Sequence, residues 1–168
     1  MRRPGRECCS SLRSTRASLE EIKNTTGLEV FDKTLQTTNI WLDEVMDDMG
    51  PDRNLAWHAL GAVVRTLRDR LPLGLVAHLG AQLPLLVRGA HYDQFQPGHT
   101  AERLNTEDEF LAHVMAEFGN VRLINVRLAT RSVLSLLSRH VTPGLAENVR
   151  SALPNHIRGL WPEAEEAA

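Results

Sequence analysis

Trp41-Leu-Asp-Glu-Val-Met-Asp-Asp-Met-Gly50 is answered, 69 residues later, by Phe110-Leu-Ala-His-Val-Met-Ala-Glu-Phe-Gly119. The offset then becomes 70, and Ala59/Ala129, Val63/Val133, Leu67/Leu137, Gly74/Gly144, Leu75/Leu145, Leu83/Leu153, Pro84/Pro154, Arg88/Arg158 and Gly89/Gly159 stay in register across one inserted residue. Thirteen of forty-one compared positions are identical, where unrelated pairs of average composition match at roughly one in sixteen. The chain reads as a duplicated unit. What repeats is apolar spacing, glycine and proline, which specify shape rather than chemistry.

Within each unit the apolar residues recur at helical spacing. Leu28, Phe31, Leu35, Ile40, Leu42, Val45, Met46 and Met49 predict a first helix that stops at Gly50-Pro51. Asp52 is placed to start a second helix through Leu55, Leu60, Val63, Val64 and Leu67, with Arg65, Arg68, Asp69 and Arg70 on its polar stripe. Pro72 opens a third helix over Leu73 to Leu83, and Pro84 starts a short fourth over Pro84 to Arg88, which Gly89 is expected to close in the left-handed conformation. The second unit repeats the steps. Asn105 or Thr106 caps a helix from Phe110 to Phe118 that stops at Gly119, Asn125 caps the next, Pro143 opens the third, and Pro154 restarts the chain as far as Arg158-Gly159. No segment alternates with period two between turn signals, so no strand competes. The expected fold is all-α: two tandem, structurally similar four-helix modules, 27–95 and 105–162, related by a pseudo-twofold axis or by stacking, and packed into one composite helical domain over 27–162.

With 168 residues and 42% hydrophobic content the chain can bury a core without metals or disulfides. The two cysteines, Cys8 and Cys9, are adjacent and cannot staple distant segments. Residues 1–26 hold six of nineteen Lys/Arg and three of twenty-one Asp/Glu, a net +3, and leave 27–168 at net −5. The leader is polar, basic and expected to be disordered at its beginning, and residues 163–168 form an acidic tail. A net-negative body argues against a nucleic-acid surface, and no apolar run approaches the roughly 20 residues of a membrane span. A cytoplasmic protein is the expectation, with no nucleic acid and no membrane among its partners.

The stretch Ala90-His91-Tyr92-Asp93-Gln94-Phe95-Gln96-Pro97-Gly98-His99 is where the two units differ most, since the second has only Leu160-Trp161-Pro162 there. The run Leu83-Pro84-x-x-x-Arg88-Gly89-x-x-Tyr92-Asp93, with Trp41 and the repeated Leu-Pro and Arg-Gly pairs, resembles the prokaryotic family called domain of unknown function 2267, over about residues 27–162. In that family Arg-Gly is followed by Tyr-Tyr-Asp-x-Trp, and His91 and Phe95 stand at the first and last of those positions here. The resemblance implies an α-helical bacterial or archaeal cytoplasmic protein and no assigned activity.

Chemistry is thin elsewhere. The seven histidines include no pair at i,i+3 or i,i+4 and no His-Glu-x-x-His. His91, His99 and His113 could converge only through the fold. The acids Asp43/Asp47 and Glu44/Asp48 read as a solvated face. EF-hand, phosphate-loop and nucleophile-elbow patterns are missing, and neither a catalytic residue, a metal nor a cofactor is expected. The candidate ligand-binding residues are His91, Tyr92 and Asp93, an imidazole, a phenol and a carboxylate on one short stretch, together with the corner cations Arg88 and Arg158. The plainer roles for the same residues are also open. Tyr92 and Phe95 can plug the seam between modules, Asp93 can cap the next turn with His91 partly exposed, and each arginine can meet free carbonyls at a helix end. The functional expectation is a noncatalytic module that binds a protein partner or itself. The alternative is a small-molecule or enzyme site at the inter-module junction.

Overall fold

A computed structural model describes residues 27–98, 104–118 and 125–161. The leader, the acidic tail, His99, Pro162 and the expected stop at Gly119 lie outside them. The described residues form eight helices and no strand: α1 Glu29–Met49, α2 Arg53–Arg70, α3 Leu73–Gln82, α4 Leu85–Tyr92, α5 Glu107–Glu117, α6 Val126–His140, α7 Pro143–Ala152 and α8 Asn155–Arg158.

Local chemistry sets most of these boundaries. Gly50, at φ 101°, ends α1 in a conformation that side chains disfavour, and its N–H donates to the Met46 carbonyl. The Asp52 carboxylate accepts from Leu55 N at 3.0 Å and starts α2. Thr106, of the two residues expected to cap α5, does so through a capping box: its hydroxyl accepts from Glu109 N at 3.2 Å, and the Glu109 carboxylate accepts from Thr106 N at 3.1 Å. Backbone N–H groups of Asn105 and Thr106 hold the Glu109 carboxyl below its ordinary pKa. Asn125 caps α6 through Leu128 N at 3.0 Å.

α2 is the centre of the molecule. It packs against α1, α4, α5 and α6, while α1 lies along α6 and α3 meets α7. The buried apolar residues form one cluster that draws on both halves of the chain, from Trp41 and Val45 through Leu60, Val64 and Leu67 to Phe110, Leu134, Leu137, Ile157 and Trp161. Several polar links cross between the halves, two of them through pairs of charged side chains around the core. Arg65 pairs with Glu117 at 2.5 Å, from α2 to α5. Glu44 on α1 receives Arg139 Nη2 at 2.9 Å and meets His140 Nε2 at 2.6 Å, with the His140 ring 4.9 Å from that of Trp41. Glu44 is thus no member of a solvated acidic face. Burial raises its pKa, but the hydrogen bonds and charges of His140 and Arg139 outweigh that and hold the carboxyl below its usual range.

The fourth helix departs from expectation. Gly89 is absent from the residues with positive φ, and α4 runs on through it to Tyr92. The extra turn forms because Val87 and His91, four apart, both dock on the core, and the end of the helix is held by other means described below. Gly159 likewise closes α8 in the right-handed region at φ −65°.

Candidate functional site

α4 and the turn after it bring His91, Tyr92 and Asp93 back over α2 and α3. His91 is fully buried rather than partly exposed. Its Nε2 lies 3.2 Å from the Val76 carbonyl, which requires a proton on Nε2 and leaves Nδ1 a bare acceptor; Nδ1 makes no hydrogen bond of acceptable geometry. Burial pushes the imidazole pKa down, and the Val76 and Val64 carbonyls only partly offset this, so the neutral ring is the native form.

The Tyr92 ring meets His91 edge-on at 4.8 Å between centroids and Phe95 at 5.9 Å, and its hydroxyl donates to the Val76 carbonyl at 3.4 Å. Gly80 on α3 makes room for it, since an added Cβ would fall 2.7 Å from two carbons of the Tyr92 ring. Gln94 takes the left-handed conformation at φ 53°, turning the chain so that Phe95 packs against the core. Asp93 contributes its carbonyl rather than a side-chain cap.

That carbonyl leads to Arg68, which the sequence placed on a polar stripe. The structure buries it. Its Nη1 donates to both the His91 and the Asp93 carbonyls at 2.8 Å, its Nε and Nη2 form a two-pronged pair with Asp69 at 2.6 and 3.0 Å, and its guanidinium lies 5.2 Å from the Phe95 ring centre. Arg68 supplies the donors that close α4, a task expected of Gly89. A signal was present, because Arg68 follows Val64 by four and precedes Leu71 by three, on the apolar row of α2.

The corner arginines act locally. Arg88 Nη2 donates to the Ala81 and Leu83 carbonyls at 3.0 Å. Arg158 does the same 70 residues later, donating from Nη2 to Ser151 at 2.6 Å and from Nε to Leu153 at 2.8 Å. Each holds the end of the preceding helix, α3 or α7, rather than its own. The structure brings His91, Tyr92 and Asp93 together with Arg68, and it turns Arg88 and Arg158 to separate helix corners.

Of the three histidines that only the fold could unite, His91 is walled in and His113 faces Thr66, whose hydroxyl is 3.2 Å from Nδ1. No group of three His, Cys, Asp or Glu suited to a metal occurs among the described residues. An open depression of about 370 Å³ lies elsewhere, between Thr106, Glu107, Asp108, Arg127 and His156, and the Glu107–Arg127 ion pair at 3.1 Å borders it. None of the five candidate residues lines it. No helix among the described residues is long and apolar enough to cross a membrane.

The family model of an uncharacterised conserved protein, DUF2267, matches residues 38–160. The chain belongs to the DUF2267 family. The match spans the helices from the buried part of α1 to α8, and includes Arg68, both corner arginines and the His91–Phe95 turn. No curated protein matches the chain by sequence.

Proposed function

We propose that this DUF2267 member is a noncatalytic helical module that binds another protein or a second copy of itself, using the face of α4 that carries Leu85, Leu86 and Tyr92. The observation that carries the reading is a division of labour on one short helix. Its inward groups and the cations around it are engaged with backbone carbonyls, while Leu85, Leu86 and Tyr92 stand 54%, 40% and 37% exposed. Leu85 and Leu86 correspond, 70 residues on, to Asn155 and His156. The same corner is polar in the second half, so the apolar exposure belongs to the first half and not to the fold.

The reading includes the duplication itself, two four-helix modules in a cytoplasmic protein of prokaryotic origin. It is supported by the matching contacts of Arg88 and Arg158, by α3 and α7 of ten residues each, and by reciprocal packing in which α1 meets α6 as α5 meets α2. The competing reading, a small-molecule site at the junction, rests on the unpaired Nδ1 of His91, which has no access to solvent.

The test is affinity capture from the source cell, with sedimentation of the purified chain, for wild type and for Leu85→Glu/Leu86→Glu. Binding or self-association should disappear in the double variant, with helix content unchanged, and survive in Met115→Glu, an exposed apolar position on α5. A monomer that captures nothing, or a partner retained by the double variant, would overturn the reading.

A further inference from the structure

The corner where α3 turns into α4 differs in charge from its counterpart in the second half. From Pro72 to Tyr92 the single residue of fixed charge is Arg88, and no Asp or Glu occurs. Seventy residues on, Ala77 and Gly80 correspond to Glu147 and Arg150, whose charged ends lie 3.9 Å apart. Leu85, Arg88 and Tyr92 stand three and four apart and so form one row along α4, with Leu86 beside it. The two leucines and the tyrosine are exposed, and Arg88 is half-buried between them. The row therefore reads apolar, cationic, aromatic over roughly 10 Å of helix axis.

Arg88 is held ready for an anion. Its Nη2 donates to the Ala81 and Leu83 carbonyls, both at 3.0 Å, which fixes the plane of the guanidinium at the corner. Its Nε is buried and makes no hydrogen bond, so the open donor is Nη1, which has no partner among the described residues. Arg158, by contrast, divides the same task between Nη2 and Nε. A guanidinium already immobilised loses little further freedom on taking a carboxylate, and the charge-assisted bond it makes is stronger than a neutral one. Side chains of a helix lean toward its start, which sets the guanidinium by Leu85 and the end of α3. The other end of the row is followed directly by the exposed Asp93. One cation with an acid at the far end suits a single carboxylate. A nucleic acid or an anionic lipid surface calls for several cations together.

We propose that the α4 face takes a peptide segment of a partner protein in which one Asp or Glu is flanked by apolar residues. The carboxylate meets Arg88 Nη1, and the apolar side chains lie on Leu85, Leu86 and Tyr92. This rests on the α4 reading above and names the partner's chemistry. The test is selection of a random dodecapeptide display library on the full-length chain, followed by fluorescence anisotropy of the selected peptides. They should share one acid between apolar residues and bind Leu85→Glu/Leu86→Glu at least about tenfold more weakly than wild type. Changing that acid to its amide should weaken binding to wild type about tenfold, but binding to Arg88→Met by less than about twofold. Circular dichroism checks the helix content of each variant. If Arg88→Met does not fold, the acid and amide peptides are compared on wild type in about 0.05 M and about 0.5 M salt, where the gap between them should narrow. The proposal is overturned, with the α4 reading left standing, by a library that yields no binder, by peptides that need Leu85 and Leu86 yet carry no acid, by amide forms that lose equally on wild type and Arg88→Met, or by a gap that salt leaves unchanged. Peptides held as well by the double variant as by wild type overturn both, and so do phosphatidylglycerol vesicles that sediment wild type but not the double variant.

Discussion

Arg68→Met keeps the aliphatic stem and removes the guanidinium that closes α4. The His91 carbonyl accepts from Nη1 at 2.8 Å and belongs to a buried residue, so leaving it without a donor costs about 1–3 kcal/mol. The Asp93 carbonyl at 2.8 Å is on an exposed residue and recovers water, which limits that loss to about 0.5 kcal/mol. Contact with the Phe95 ring at 5.2 Å adds about 0.5–1 kcal/mol. The Asp69 side chain is 24% exposed, so its pair with Arg68 adds no more than about 0.5 kcal/mol. The expected destabilisation is about 3–4 kcal/mol, a fall in Tm of roughly 10 °C for a chain of this size. Urea titration gives the free energy, and hydrogen exchange should show the loss beginning in 85–95. Arg88→Met is the comparison. Its acceptors lie at a more exposed corner and the cost should be about 1 kcal/mol. The reasoning fails if Arg68→Met stays within about 0.5 kcal/mol of wild type, or costs no more than Arg88→Met.

Gly80→Ala should destabilise by about 1–2 kcal/mol, the clash with Tyr92 exceeding the roughly 1 kcal/mol that alanine gains in a helix. Adding Tyr92→Ala should remove the clash, so thermal melts in which the glycine substitution costs the same with and without Tyr92 would sink this account. A pH effect follows from His91, whose native pKa lies below its ordinary 6.5. The unfolded chain then binds the proton first, so this contribution is fully present above about pH 6.5 and is lost as pH falls toward the native pKa. Glu44, also lowered in the native state, adds a separate loss as pH drops below its ordinary 4.5. Urea midpoints measured from about pH 8 down to pH 5 should fall in wild type and flatten in His91→Gln; equal slopes would refute the assignment.

The readable parts of the fold were those fixed by neighbours in sequence. Gly50, Asp52, Asn125, Thr106 and the prolines act within one helical turn, and each marks a boundary close to where it stands. The site was less legible because its decisive contacts span the chain. Arg68 reads as one more cation beside Arg65 and Arg70 until a carbonyl 23 residues away comes back to it. Glu44 reads as part of an acidic run until α6 supplies two partners. Gly89 misled for a related reason: Arg-Gly near a helix end suggests a glycine cap, but docking of His91 carries the helix on and Arg68 completes it. Arg88 and Arg158 do meet carbonyls, the plainer of the two roles their positions allow, but those of the preceding helix and not their own.

The reach of these contacts also orders them in time. Arg88 and Arg158 bind carbonyls five and seven residues back, so their corners can close as soon as the adjoining helices form. Glu44 meets Arg139 and His140 across 95 and 96 residues, and that pairing must wait until the two halves have found each other. Contacts absent from the folding transition state leave the refolding rate almost untouched and act on the rate of escape from the native state. For Glu44→Gln the expected outcome is faster unfolding with a nearly unchanged refolding rate, read from the two arms of a urea chevron, so that its carboxylate acts as a latch on the closed fold rather than as a guide to closure.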